Sequence, residues 1–189
     1  MAYESPLGAM TLAAQTGPGL PEGGALIGAW FDGQKHDRAG LEPGGADISV
    51  AEPGGGQGPA VLVDTRTWLD RYFAGGDPGS PPALAPRGTG FQQLVWAQLR
   101  AIPRGSTRTY GQIADAVAAR AGHRCSARAV GGAVGRNPVS VVVPCHRVIG
   151  ADGSLTGYAG GTGRKTWLLG IEGVRLAGPG VRQEGIPGL

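Results

Sequence analysis

Glycine and proline set the first limit on this fold. The chain carries 37 glycines and 15 prolines in 189 residues, many of them gathered in "GPGLPEGG", "EPGGADISVAEPGGGQGP" and "GGDPGSPP". Glycine costs about 1 kcal/mol in a helix interior, and proline removes a backbone donor. Regular elements must therefore be short and separated by long loops, in a pattern that is neither collagen-like nor wholly disordered. A hydrophobic content of 41% and a mean hydropathy of -0.08 still permit an ordinary buried core. No run approaches the roughly 18 apolar residues of a membrane helix. The N-terminus lacks the basic region and apolar run of a secretory signal. A cytoplasmic protein is expected, nucleoid-associated if bacterial, with no membrane partner. The two cysteines, Cys125 and Cys145, are too few for a disulfide framework. His123 and Cys125 have no second ligand pair at metal-binding spacing, so no metal is expected.

Charge divides the chain. Residues 1–86 hold 4 Lys and Arg against 10 Asp and Glu, whereas residues 87–189 hold 13 against 4. Such asymmetry suggests two functional parts, the second meeting a polyanion. The periodicities agree with a division there. In the first part, "MTLAAQ" and "LIGAWFDGQ" predict strands, the latter ending in a turn at Asp32-Gly33. "AVLVDTRTWLDRYFAGG" predicts a helix with Leu62, Trp68, Leu69, Tyr72 and Phe73 at helical intervals. No catalytic cluster is evident in this part, and residues 41–60 are expected to be a disordered insertion. In the second part, "GTGFQQLVWAQLRAIPRG" and "RTYGQIADAVAARAG" each open on a capping box, Thr89 with Gln92 and Thr109 with Gln112. "SARAVGGAVGRN" predicts a short helix capped by Ser126, with Val130, Ala133 and Val134 inward. Joined to its predecessor by "GHRC", it forms a helix-turn-helix candidate. Its Ala127, Ala129, Gly131, Gly132 and Ala133 carry almost no bulk, which lets something approach its backbone. "PVSVVVP" predicts a strand buried on both faces. "GRKTWLLGIEG" predicts a last helix with Trp167, Leu168 and Ile171 inward.

The chemistry gathers in "VVVPCHRVIG". Only the thiolate of cysteine is a strong nucleophile, and cationic or imidazole neighbours favour it. Cys145 stands beside His146 and Arg147. Adjacent side chains on an extended chain point to opposite sides, so a turn at Pro144 or a bridging water is needed to bring thiol and imidazole together.

"NPVSVVVPCHRVIGADGSLTGYAGG" resembles the active-site signature of the O6-alkylguanine-DNA alkyltransferase family, whose hallmark is Pro-Cys-His-Arg. The resemblance runs nearly continuously over residues 88–174, through "GTGFQQLVWAQLRAIPRGSTRTYGQIADAVAARAG", "SARAVGGAVGRNP" and "GRKTWLLGIEG", and more weakly through "YESPLGAMTLAA" and "LIGAWFDG". It implies an α+β protein: a small RNase H-like α/β domain over residues 1–86, a mostly helical domain with a helix-turn-helix over residues 87–178, and a tail over residues 179–189. It also implies direct repair of double-stranded DNA containing alkylated guanine. Cys145 would take the alkyl group from O6 once and keep it as a thioether, with O4-alkylthymine a second candidate substrate and no cofactor. His146 would act through a water as base, and Glu172 would orient it. Asn137 would tie the recognition helix to the active-site loop. Tyr110 would help rotate the nucleotide and bond the base, the Val148 carbonyl would receive the guanine amine, and Tyr158, Ala159 and Lys165 would line the pocket. Arg128 would enter the vacated base stack. Ala127, Ala129, Gly131 and Gly132 would lie along the minor groove, the reverse of usual helix-turn-helix docking. A monomer is expected. Ala159 departs from the serine of human-like members, so a side-chain hydrogen bond is lost there. Zinc-binding members use N-terminal cysteines, which residues 1–86 lack.

Three rivals stand beside that reading. A non-catalytic binding module for alkylated DNA shares the fold but carries another residue, often tryptophan, at the position of Cys145. A transcription regulator would use the helix-turn-helix, although a small-residue helix reads base edges poorly. A Cys-His-Glu hydrolase would need an oxyanion hole that no motif supplies.

Overall fold

The computed structural model describes residues 1–38, 41, 48–50 and 58–175. The sheet half begins with strands β1 (Ala2–Ser5) and β2 (Gly8–Gln15), which form an antiparallel hairpin, and β3 (Ala25–Phe31) pairs antiparallel on the other edge of β2. A short strand β4 (Ile48–Val50) continues along the edge that β1 leaves free, opposite Ala13 to Gln15. Neither β1 nor β4 was legible as a strand, and β4 falls inside the segment expected to be disordered. Residues 42–47 and 51–57 of that segment, like the tail 179–189, lie outside the described residues. Helix α1 (Ala60–Phe73) packs Leu62, Leu69 and Tyr72 against the sheet, all fully buried.

One extra residue in β3 explains how a strand with every residue buried serves two faces. Ala13 pairs with Gly28, but Ala14 pairs with Leu26, so Ile27 is a bulge. Leu26, Ala29 and Phe31 enter the main core, whereas Ile27 and Trp30 pack with Ala13 on the opposite face. There Trp30 lies across the bare Cα of Gly28, where a Cβ would sit 1.6 Å from the indole ring.

The helical half follows the capping signals closely. Helix α2 (Gly90–Arg100) and helix α3 (Tyr110–Ala121) both begin on complete capping boxes, at Thr89 with Gln92 and Thr109 with Gln112. Gly122 closes α3 in the left-handed conformation that a side chain disfavours. Helix α4 (Ala127–Val134) is capped by Ser126 and buries Val130, Ala133 and Val134, as its periodicity requires. Helix α5 (Thr162–Ile171) fully buries Lys165, Leu168 and Leu169, while Trp167 and Ile171 are only partly covered. Leu168 and the two partly covered residues pack on the main core as expected, and the buried face extends further to Lys165 and Leu169. A parallel pair of two-residue strands, β5 (Arg108–Thr109) with β6 (Val148–Ile149), was not foreseen.

"PVSVVVP" is not a strand. Val139 makes a single parallel bridge to Ala29 of β3, and the chain then folds back on itself. The burial was legible, since Val139, Val141, Val142 and Val143 are all buried, but the extended conformation was not. The bridge is one of two along the outer edge of β3, and it is the one that joins the halves, since the other pairs Leu26 with Leu84 of the same half. Leu26 N donates to Ala83 O at 2.8 Å, and Leu26 O accepts from Ala85 N at 2.9 Å. Further along, Ala29 N donates to Pro138 O and receives Ser140 N on its carbonyl, each at 2.8 Å. A single contiguous core joins the sheet, α1 and helices α2 to α5.

The bulged face of β3 gives a direct test. Gly28→Ala forces the buried Trp30 ring to move and should cost about 1–3 kcal/mol, as overpacked cores do. Denaturant unfolding would measure it, and an unchanged midpoint would mean that Trp30 has room to swing.

Candidate active site

The segment between α4 and the reactive cysteine is shaped by two consecutive tight turns and one side chain. Val142 N donates to Ser140 O at 2.9 Å across Val141, whose φ of 72° places a β-branched residue in the left-handed region. A γ-turn of that kind is strained and persists only when its surroundings impose it. Three residues on, Cys145 N donates to Val143 O at 2.8 Å across Pro144, an unstrained γ-turn of the opposite sense. Asn137 imposes the arrangement. Its Nδ2 lies 2.8 Å from Val143 O, 3.2 Å from Val139 O and 3.0 Å from Cys145 Sγ, and its Oδ1 accepts from Val139 N at 3.0 Å. From the sheet side, Ser140 Oγ meets Gln34 Oε1 at 3.1 Å, and the same oxygen accepts from Phe31 N. The result delivers Cys145 and His146 on a single 3-10 turn, Cys145–Arg147, where adjacent side chains diverge.

They do diverge. The Cys145 thiol takes its hydrogen bond from Asn137, while His146 Nε2 faces Glu172 Oε1 at 2.9 Å. His146 is fully buried, and its Nδ1 has no hydrogen-bond partner among the described residues. Because Nε2 points at a carboxylate, the ring carries its proton there and Nδ1 holds the free lone pair. Glu172, just past the end of α5, is the most heavily bonded group of the site. Its Oε1 receives His146 Nε2, Arg147 NH2 at 2.8 Å and the Tyr72 hydroxyl at 2.7 Å. Its Oε2 receives Arg147 Nε at 2.8 Å and Gly105 N at 3.5 Å. Arg147 also donates to Ile102 O at 2.6 Å.

These surroundings fix the charges. Burial favours the neutral acid of Glu172, but the hydrogen bonds from His146, Arg147 and Tyr72 outweigh it and hold the carboxyl well below its usual range. Burial lowers the His146 imidazole, against the pull of Glu172, so the ring is neutral near neutrality. Burial also pushes the Cys145 thiol up, opposed by the Asn137 hydrogen bond and the positive charge of Lys165. A resting thiol beside a neutral imidazole with a bare nitrogen is a nucleophile that waits for its base. Lys165, fully buried, is brought down to about 8 by desolvation, with Cys145 working against that shift.

Of the other sequence-predicted residues, Tyr110, Tyr158 and Lys165 lie near enough to Cys145 to interact with its charge. Lys165 Nζ lies 2.5 Å from Val148 O and 3.3 Å from Thr156 O. The carbonyl expected to face a guanine amine is thus already capped by an ammonium, although a carbonyl has a second lone pair. Tyr110, at the start of α3, donates its hydroxyl to Thr156 O at 2.9 Å. Tyr158 is buried, its hydroxyl without a hydrogen-bond partner among the described residues, and Ala159 O receives Lys35 N at 3.2 Å. On the outer face of α4, Ala127, Arg128 and Ala129 are exposed, and Gly131 and Gly132 partly so. Sequence reasoning missed Tyr72, Gln34 and Ser140. Tyr72 was legible only as a core-facing helix position, although a buried tyrosine hydroxyl needs a partner. Among the described residues no three His, Cys, Asp or Glu side chains gather as a metal site would require. No helix among them is long and apolar enough to cross a membrane.

Comparison with known proteins places this geometry. Residues 90–174 match the family model described as the DNA-binding domain of 6-O-methylguanine DNA methyltransferase. A methylated-DNA–protein-cysteine methyltransferase of Salmonella typhimurium is 59% identical over 130 residues, covering 68% of each chain. Its counterpart from Mycobacterium tuberculosis is 53% identical over 114 residues, 60% of this chain and 67% of that one. One from Methanosarcina acetivorans is 52% identical over 105 residues, and the match spans 65% of its length. A crystal structure of Mycobacterium tuberculosis OGT in complex with DNA superposes with a TM-score of 0.67 at 42% identity, covering 90% of both chains.

The buried charges predict how stability depends on pH. Glu172 titrates below its ordinary 4.5 when folded, so the stability it supplies is complete above that value and is lost as pH falls through the folded range. His146 titrates below its ordinary 6.5 when folded, so the unfolded chain takes up a proton first and stability is again lost as pH falls. The urea midpoint should therefore drop as pH falls from 6.5 to 4.5, and His146→Gln should flatten the upper part of that drop. Equal slopes in the two proteins would refute a buried neutral His146.

Proposed function

This chain belongs to the methylated-DNA–protein-cysteine methyltransferase family, and we propose that it repairs DNA by moving the alkyl group of O6-alkylguanine onto its own Cys145. The observation that carries the reading is the divergent pair on the Cys145–Arg147 turn: a buried thiol held by Asn137, and a neutral imidazole held by Glu172 with its second nitrogen free. His146 Nδ1 takes the thiol proton through a water. The thiolate attacks the alkyl carbon, an S–C bond forms, and the electron pair of the C–O6 bond leaves with guanine, which recovers a proton. Asn137 Nδ2 and Lys165 stabilise the sulfur anion as it develops. A thioether is not readily hydrolysed, so each molecule reacts once. The chemistry requires neither metal nor cofactor, and O4-alkylthymine presents the same alkyl carbon.

The lesion lies inside a duplex and must be extruded. Tyr110 and the Val148 carbonyl receive the flipped base, with Lys165 yielding a lone pair of that carbonyl, and Tyr158 and Ala159 wall the pocket. Arg128 fills the gap in the stack. Ala127, Ala129, Gly131 and Gly132 let α4 lie close in the minor groove, and their exposure opposite the buried Val130, Ala133 and Val134 supports that placement. In this reading α3 and α4 are the helix-turn-helix of a DNA-binding and acceptor domain over residues 87–178. Residues 1–86 are an RNase H-like scaffold, and residues 179–189 a tail. The protein works as a monomer in the compartment that holds the chromosome. A non-catalytic module for alkylated DNA would have no use for a thiol held this way.

Incubation with duplex DNA containing O6-methylguanine should add the mass of one methylene to the peptide containing Cys145, and Cys145→Ala should abolish it. Absence of transfer by the folded, reduced protein would sink the alkyltransferase reading in favour of the binding module. Arg128→Ala should retain reaction with the free methylated base and lose most activity on duplex. Equal loss on both would remove Arg128 from extrusion.

A further inference from the structure

Tyr72 belongs to α1 in the sheet half, yet its hydroxyl ends on the carboxylate that serves the catalytic cysteine's neighbour. The ring is held without help from the hydroxyl. Trp68 stacks on it with centroids 5.4 Å apart, Phe73 meets it edge-on at 5.5 Å, and the Arg104 guanidinium lies 5.2 Å from its centroid. Arg104 in turn donates to Gly75 O, Gly76 O and Ile171 O, clamping the end of α1 to the end of α5. A phenylalanine would satisfy all the packing. The hydroxyl is therefore a separate matter: a buried polar group costs free energy unless paired, and this one is paired with Glu172 Oε1 at 2.7 Å.

That oxygen is the one His146 uses. Tyr72 Oη lies 3.3 Å from His146 Nε2, and both groups aim their hydrogens at the same Oε1. Arg147 fixes the plane of the carboxylate through both oxygens. The hydroxyl adds a neutral third donor to Oε1, beside Arg147 NH2 and His146 Nε2, and so helps hold that oxygen against the imidazole. Burial and the Glu172 charge raise the phenol far above neutral pH, so it remains a donor throughout the working range.

We propose that Tyr72 is a positioning residue for alkyl transfer, whose hydroxyl holds Glu172 Oε1 so that His146 keeps its proton on Nε2 and Nδ1 bare to receive the thiol proton. The proposal rests on the alkyltransferase reading and deepens it: the sheet half completes the proton relay. The groups that surround His146 and set its titration are Tyr72 from α1, Arg147 from its own turn, Lys165 from α5 and Glu172 just past the end of α5. Removing the hydroxyl leaves Glu172 more basic, which stabilises imidazolium.

Tyr72→Phe should slow single-turnover transfer from O6-methylguanine duplex about tenfold, equivalent to about 1.4 kcal/mol and within the range of one charge-assisted hydrogen bond. The acid limb of its pH–rate profile should move to higher pH, and affinity for the duplex should be unchanged. In a His146→Gln background the same substitution should change the rate by less than about twofold, because the two act through one path. Equal loss in both backgrounds would reduce Tyr72 to a structural part, and an unchanged rate and acid limb would overturn the proposal outright. Ring-nitrogen NMR of the wild-type protein gives a test that needs no variant: His146 should report an Nε2–H tautomer, and an Nδ1–H tautomer would overturn the proposal. No transfer by the wild-type protein would overturn the alkyltransferase reading itself, whereas transfer with indifference to Tyr72→Phe overturns only this step.

Discussion

A single buried carboxylate gathers more of this molecule than any hydrophobic contact does. Glu172 draws donors from α1, from the loop after α2, and from the turn that bears the cysteine, and it stands itself at the end of α5. Isolated in the core, its charge would be prohibitively expensive. Surrounded by Arg147, His146, Tyr72 and Gly105, it becomes the point at which four segments are obliged to agree. Glycine- and proline-rich loops separate the elements, so agreement between them depends on contacts of this kind. A charged hub does here what long helices do elsewhere.

A separate set of contacts explains why the reactive segment tolerates strain. Val141 occupies a left-handed conformation that a β-branched residue avoids. It is held there between Asn137, which takes up the carbonyls on either side, and β3, which pairs with the backbone just before it. An extended strand would have placed thiol and imidazole on opposite faces of a sheet. Two tight turns place them instead on one corner, pointing into different hydrogen-bond systems. The thiol is held by Asn137 and the imidazole by Glu172, while the Lys165 charge acts on both.

How much of this was legible follows from which interactions are local. The capping boxes at Thr89 and Thr109, the serine cap of α4 and the glycine end of α3 are written within four residues, and each was read as it stands. The apolar run before Cys145 announced burial correctly but not conformation, because the decisive partner, the Asn137 amide, acts through side-chain geometry that no periodicity encodes. The bulge at Ile27 was hidden for a similar reason, since it exists only relative to β2. Cys145, His146, Asn137 and Glu172 were found as a motif and a resemblance, and the structure brings the four together. Tyr72 lies 100 residues from Glu172, and nothing near it in sequence hints that its hydroxyl has an anion to meet.

The outer edge of β3 gives the reactive loop a second duty. An uncovered edge strand offers unpaired amides and carbonyls to any neighbouring chain. Here those groups at Leu26 and Ala29 are occupied by residues 83–85 and 138–140 of the same molecule. The loop that carries the nucleophile is thus also the cover of an adhesive edge. Colloidal solubility and reactivity are tied to one stretch of chain, and damage that loosens it exposes the molecule to self-association as well as to loss of chemistry.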